Sequence, residues 1–157
     1  MRRILVGASS AAVVWASIGA VSADSLDTQP VSRIEIVLAG QYRAHADSIK
    51  REFALAGLTN VHVRFMRMGQ PPANIGLGQQ VPADKAREAI RLALKYNRDV
   101  RILLPERLFP PRFITIASSN FDDTVEFSID KESLARLLDP SLTTEQFHAL
   151  YRRLTTP

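Results

Sequence analysis

Residues 33–40, RIEIVLAG, set Ile34, Ile36 and Leu38 two apart with Glu35 and Val37 between them, the two-residue period of a half-buried strand. Ala46, Ile49, Phe53 and Ala56 then recur at helical spacing, and Gly57 follows as a C-terminal stop. VHVRFMRM (61–68) alternates again, with Val61, Val63 and Phe65 on one face and His62, Arg64 and Met66 on the other. Gln70-Pro71-Pro72 breaks that strand, and NIGLG (74–78) reads as a short one. Pro82 suits the first turn of a helix, where its missing N–H costs nothing. Ala86, Ala89, Ile90, Ala93 and Leu94 form the apolar stripe of that helix, which turns Lys85, Arg87, Glu88, Arg91 and Lys95 to solvent. VRILL (100–104) is a further strand.

This order is β-α-β-β-α-β, and its halves echo each other: LAGQ (38–41) returns as LGQ (77–79), each between a strand and a helix. The simplest architecture is α+β, an antiparallel four-stranded sheet with both helices on one face, the ferredoxin-like arrangement. Beyond Pro105 the pattern changes. A fifth strand is expected at 113–117 after Pro110-Pro111, then an acidic loop, NFDDTVEF. Asp130 is placed as an N-cap with Ile129 and Leu134 as its hydrophobic staple, for a helix over 131–138. Thr143 with Gln146 fits a capping box, and Leu142 with Phe147 the matching staple, for a last helix burying Phe147, Leu150, Tyr151 and Leu154. The expectation is one α+β domain over 33–157, with a body at 33–104 and an extension at 105–157 carrying a strand and two short helices.

The two halves resemble the SPOR domain, a small peptidoglycan-binding module of bacterial envelope proteins. Val37, Gly40 and Tyr42 resemble its opening strand and turn, and Ala46, Ile49, Phe53 and Gly57 its helix series. Leu77, Gly78, Ala86, Ala89 and Ile90 stand in similar places in the second half, so the resemblance covers about residues 33–104. It implies a ferredoxin-like fold and a glycan ligand.

The first residues set the expected compartment. Arg2 and Arg3, an apolar run from Ile4 to Ala20 and Val21-Ser22-Ala23 make the pattern of a secretory signal peptide, 1–23, cleaved after Ala23. A flexible segment, 24–32, would follow. No second long apolar stretch appears, so no membrane span is expected after cleavage, and the location would be periplasmic or secreted. The chain has no Cys, which excludes disulfides, thiolate metal sites and a Cys nucleophile. Its formal charge of +4 is uneven: residues 33–112 carry 14 Lys/Arg against 7 Asp/Glu, and 113–157 carry 4 against 7. Such asymmetry attracts anionic partners or lets the two parts pack on each other.

Little chemistry is visible. Gly76 and Gly78 lack the third Gly of a dinucleotide fingerprint, since position 81 is Val, and GQQVPADK does not complete a P-loop. Those glycines read as easing a strand bend. His45, His62 and His148 show no metal-ligand spacing, so no metal or cofactor is expected. Stacking aromatics are missing beside the arginines, which argues against nucleic acid. No catalytic set appears. The remaining candidate is the sheet face away from the helices, where alternation places Glu35, His62, Arg64, Met66, Asn74 and Arg101, with Leu103 beside them. That face suits a glycan strand or an envelope protein. The alternative is an enzyme or accessory subunit whose site forms with a partner.

Overall fold

A computed structural model describes residues 30–97, 99–120 and 128–156. The expected signal peptide and most of the acidic loop lie outside the described residues. Over the described residues the fold is α+β, a five-stranded mixed sheet with four α-helices. The strands are β1 (Arg33–Leu38), β2 (Val61–Phe65), β3 (Asn74–Leu77), β4 (Ile102–Leu104) and β5 (Phe113–Ile116). The helices are α1 (Ala46–Leu55), α2 (Ala83–Asn97), α3 (Lys131–Leu137) and α4 (Thr144–Leu154).

The sheet order is β2-β1-β5-β3-β4, with β1 parallel to both β2 and β5, β3 parallel to β4, and β3 antiparallel to β5. This corrects the antiparallel, four-stranded, ferredoxin-like expectation. Each β-α-β unit closes on itself: α1 carries the chain from β1 to the neighbouring parallel β2, and α2 does the same from β3 to β4. A crossover of a dozen or more residues permits a parallel neighbour, and residues 39–60 and 78–101 supply it. The fifth strand then enters between the two units. Its sequence explains why: Ile114, Thr115 and Ile116 are all buried, as suits a strand covered on both faces and not an edge. β2, an edge strand, keeps the alternation of half-buried and exposed positions. The price of this order is a long reach from β2 to β3, three strand spacings or roughly 14 Å, which the eight residues 66–73 span easily at about 3.3 Å each.

Ile34, Ile36, Leu38, Ile75, Leu77, Leu103, Ile114 and Ile116 face the helices and join one core with Ile49 and Phe53 of α1, Ala86, Ala89, Ile90 and Ala93 of α2, and Phe147, Leu150 and Tyr151 of α4. Leu103 is therefore core, opposite Ile75, and not on the open face where alternation placed it. Helix α4 packs on α2, and α3 on α4, so the C-terminal pair extends the helical layer. Arg87, read as part of the wet face of α2, is buried and donates to the carbonyls of Asp139 and Leu142 at 3.3 and 3.2 Å. A long side chain with five donors can leave a helix surface to satisfy carbonyls of a turn that only the folded chain brings near.

The Gly-x-Gly stretch has its reason in this packing. A Cβ on Gly76 would strike the Phe109 ring, and one on Gly78 would strike the carbonyls of Pro110 and Pro111. Both glycines are there so that 109–111 can cross close over β3, with Gly78 N donating to Phe113 O at 2.8 Å and Gln80 N to Pro111 O at 2.7 Å.

Candidate functional site

Partners in register share a face, so Arg33, Glu35, Val37, His62, Arg64, Phe113, Thr115, Asn74, Gly76, Ile102 and Leu104 belong to the side turned from the helices. This face has two regions. Over β3 and β4 it is closed, with Asn74, Gly76, Ile102 and Leu104 all buried, and Thr115 of β5 is buried at the boundary. Over β1 and β2 it is open, with Arg33, His62 and Arg64 exposed.

Glu35 is the centre of the open region. Its carboxylate lies between two guanidiniums, Arg33 at 2.6 Å and Arg64 at 3.5 Å, and its side chain is 23% exposed against 51% and 64% for theirs. His62 stands opposite Glu35 on the edge strand. Beside Glu35 a shallow crevice runs past Val37, Arg64 and Thr115 to Ser118, Ser119 and Asn120, at the carboxyl ends of β1 and β5. The carboxyl ends of adjacent parallel strands are where open sheets offer ligand crevices.

The loop that supplies the serines is held by a residue the sequence placed on the surface. Asn74 is 1% exposed; its Nδ2 donates to Ser118 O at 3.0 Å and its Oδ1 accepts from Ser118 N at 2.8 Å. Asn74 therefore positions the loop and does not offer its amide to a ligand. The chain can turn there because Ala117 takes φ 58, the left-handed region. At the other end of the same face, Phe109 and Phe113 stack with centroids 6.0 Å apart and planes 15° from parallel, both half-buried. Phe113 stands in register with Arg33. Sequence reasoning missed this pair. The signal was the LFPPRF string, which read only as a break.

Of the residues expected on this face, Glu35, His62 and Arg64 come together. Met66 follows the last residue of β2, half-buried, its N–H donating to Leu38 O at 2.9 Å. Arg101 lies beside the opposite edge, four strand spacings or about 19 Å away, and is paired with Asp99 at 2.7 Å. That bond to Arg101 holds the Asp99 carboxyl below its ordinary range. Alternation groups residues of one strand and says neither which group faces the core, as Leu103 shows, nor how many strands separate two residues, as Arg101 shows.

Among the described residues no cluster of His, Asp and Glu could hold a metal ion, and no helix is long and apolar enough to cross a membrane. No protein-family model, curated protein or solved structure matches the chain.

Proposed function

We propose that this chain is an exported, non-enzymatic binding module of a bacterial cell envelope that recognises a glycan strand on the open face of its sheet, with an envelope protein as the alternative partner. The observation that carries this reading is one face with an aromatic pair at one end and fixed polar groups further along. Phe109 and Phe113 offer flat apolar area for the C–H face of a sugar ring. Glu35, Arg64, Ser119 and Asn120 offer donors and acceptors for hydroxyls and amides, held in place by ion pairs and by Asn74. The crevice beside Glu35 holds only about 10 Å³, so a glycan would lie along the open face and not in a cleft. From Phe113 to Ser118 the chain reaches at most about 17 Å at 3.3–3.4 Å per residue, room for more than one ring. The SPOR-like spacing over 33–104 points to the same ligand class, but the mixed sheet is not that module's topology, so the reading rests on the chemistry of the face. The signal-peptide pattern in residues 1–23 supplies the compartment.

Pull-down on purified peptidoglycan sacculi tests it. Arg64→Ala should reduce the retained fraction roughly three- to tenfold, the loss of about 1 kcal/mol typical of a contributing contact residue. Arg101→Ala, at the far edge, should leave retention unchanged. Absence of wild-type retention at low salt overturns the glycan reading and leaves the protein partner. Equal loss from both variants would mean diffuse charge attraction and no defined site.

A further inference from the structure

The hairpin of α3 and α4 encloses a groove of about 300 Å³ that shares no residue with the glycan face. Its floor is Leu142, Leu150 and Ala149, the last a small residue that leaves room between two turns of α4. Its rim carries Arg136 from α3 and Gln146 and Arg153 from α4. Gln146, Ala149 and Arg153 follow at i, i+3 and i+7, so they form one stripe along the helix.

The groove is pre-formed. Arg87 of α2 grips the connecting turn through the carbonyls of Asp139 and Leu142. The Thr143–Gln146 capping box fixes the start of α4. Tyr151 anchors that helix to the sheet, its hydroxyl donating to Leu104 O at 2.9 Å and Ile75 O at 3.2 Å. The backbone of the groove needs no ordering before a ligand enters, which leaves only the Arg136 and Arg153 side chains to be fixed on binding.

Its charge is unbalanced. Arg136 and Arg153 are exposed, and neither forms an ion pair among the described residues. The neighbouring Arg152 differs, since it pairs with Glu106 at 3.3 Å. Asp139 also lines the groove and keeps its charge, its carboxyl held below the ordinary range by bonds from Ser141 N at 2.9 Å and Ser141 Oγ at 2.7 Å, so the lining carries two cations and one anion whose lone pairs are already engaged. Two guanidiniums thus flank an apolar floor, Arg136 near enough to Asp130 to add to the Ser133 bonds that lower its carboxyl, and among the described residues no side chain accepts a hydrogen bond from either.

We infer that this groove seats an acidic side chain and an adjacent apolar one from a protruding segment of a partner protein. Guanidinium forks match carboxylate geometry, and the half-buried Leu142 and Ala149 leave apolar area that an apolar group would cover. The floor is recessed between two helices, so a projecting side chain reaches it and a flat lipid surface does not. Ligand clefts run from about 300 to 1,000 Å³, and this one, at the lower limit, takes one or two side chains and not a cofactor. The inference stands independently of the glycan reading.

Fluorescence anisotropy with the full chain and fluorescein-labelled Gly-Glu-Leu-Glu-Gly tests it. The expected result is saturable binding that weakens at least roughly tenfold, about 1.4 kcal/mol, with the Gly-Gln-Leu-Gln-Gly peptide and again in the Arg136→Gln, Arg153→Gln double variant. Ala149→Leu keeps every charge and fills the floor, and it should weaken binding as strongly. Arg136 and Arg153 are exposed and Ala149 is half-buried, and circular dichroism and urea midpoints establish that the variants fold. No saturable binding by the wild type overturns the proposal. Full binding by Ala149→Leu also overturns it, since attraction then needs no groove. Tighter binding to phosphatidylglycerol vesicles than to the peptide, unaffected by Ala149→Leu, would show a membrane-facing basic surface instead.

Discussion

Ala117 is fully buried and holds φ 58, the one non-glycine residue with positive φ among those described. The left-handed region costs an L-residue about 1–2 kcal/mol. Glycine there would remove that cost, but it loses about 0.8 kcal/mol of methyl burial and about 0.5–1 kcal/mol to the freer unfolded chain. The terms cancel, so Ala117→Gly should lie within about 0.5 kcal/mol of wild type. Ala89, equally buried but helical, has no strain to release, and Ala89→Gly should cost about 2 kcal/mol. Urea midpoints measure both; an equal cost at the two positions would mean that the turn is unstrained. What makes the turn worth holding is its output. Asn74, the first residue of β3, closes on Ser118, and the loop presents Ser119 and Asn120 beside Glu35. Neither the left-handed Ala117 nor the buried Asn74 could be read from the chain, because both depend on β5 lying next to β3.

At the scale of elements, α4 is joined to the rest of the protein by a buried polar cluster. His148 Nε2 donates to Val81 O at 2.7 Å, while Nδ1 meets the carboxylate of Glu106, whose other oxygen takes Arg152. His148 and Glu106 side chains are only 4% and 6% exposed. Removing one partner of a buried pair costs about 3–5 kcal/mol where the other is left uncompensated, and here Arg152 still meets Glu106 at 3.3 Å. His148→Ala should therefore destabilise by about 3 kcal/mol, the lower end of that range, in urea unfolding. Adding Glu106→Gln should recover part of it, since the under-compensated charge is then gone. The Tyr151 hydroxyl beside this cluster is pushed far above its ordinary range by burial.

Helices α1 and α2 are tied differently. Glu52 of α1 bonds Lys95 and Tyr96 of α2. The Lys95 bond first, then the Tyr96 hydroxyl, holds the Glu52 carboxyl below its ordinary value of 4.5. Burial first, then the same carboxylate, pushes the Tyr96 hydroxyl up to about 12. A depressed carboxyl contributes its stability in full above the unfolded value, and loses it as pH falls through the lower folded value. Below about pH 4.5, the urea midpoint of the wild type should therefore drop more steeply than that of Glu52→Gln. Parallel slopes would mean that solvent screens the contact to nothing. Local signals were legible at this scale. Asp130 accepts from Ser133 N at 2.6 Å, and the Thr143–Gln146 box closes at both bonds, because caps involve residues three apart.

At the scale of the whole molecule, the two-residue and helical periods determined which segments are strands and helices and which face of β1, α1 and α4 is apolar, while β3, β4 and β5, buried on both sides, gave no such face. They determined much of the core as well: Ile34, Ile36, Leu38, Phe53, Ala86, Ile90, Phe147 and Tyr151 are all buried. They could not determine strand order, because a β-α-β unit with room between its strands reads the same as one that closes on itself. Only the tertiary structure decided that β5 enters the centre, bringing Thr115 and Ser118 to Glu35 and leaving Arg101 at the far edge. It also decided that Gly76 and Gly78 exist to let residues 109–111 pass over them, and that Arg87 leaves its helix face for a turn some fifty residues on. Periodicity is a property of neighbours in the chain. The site depends on neighbours in space, and those are chosen by how the apolar faces of distant segments close over one another.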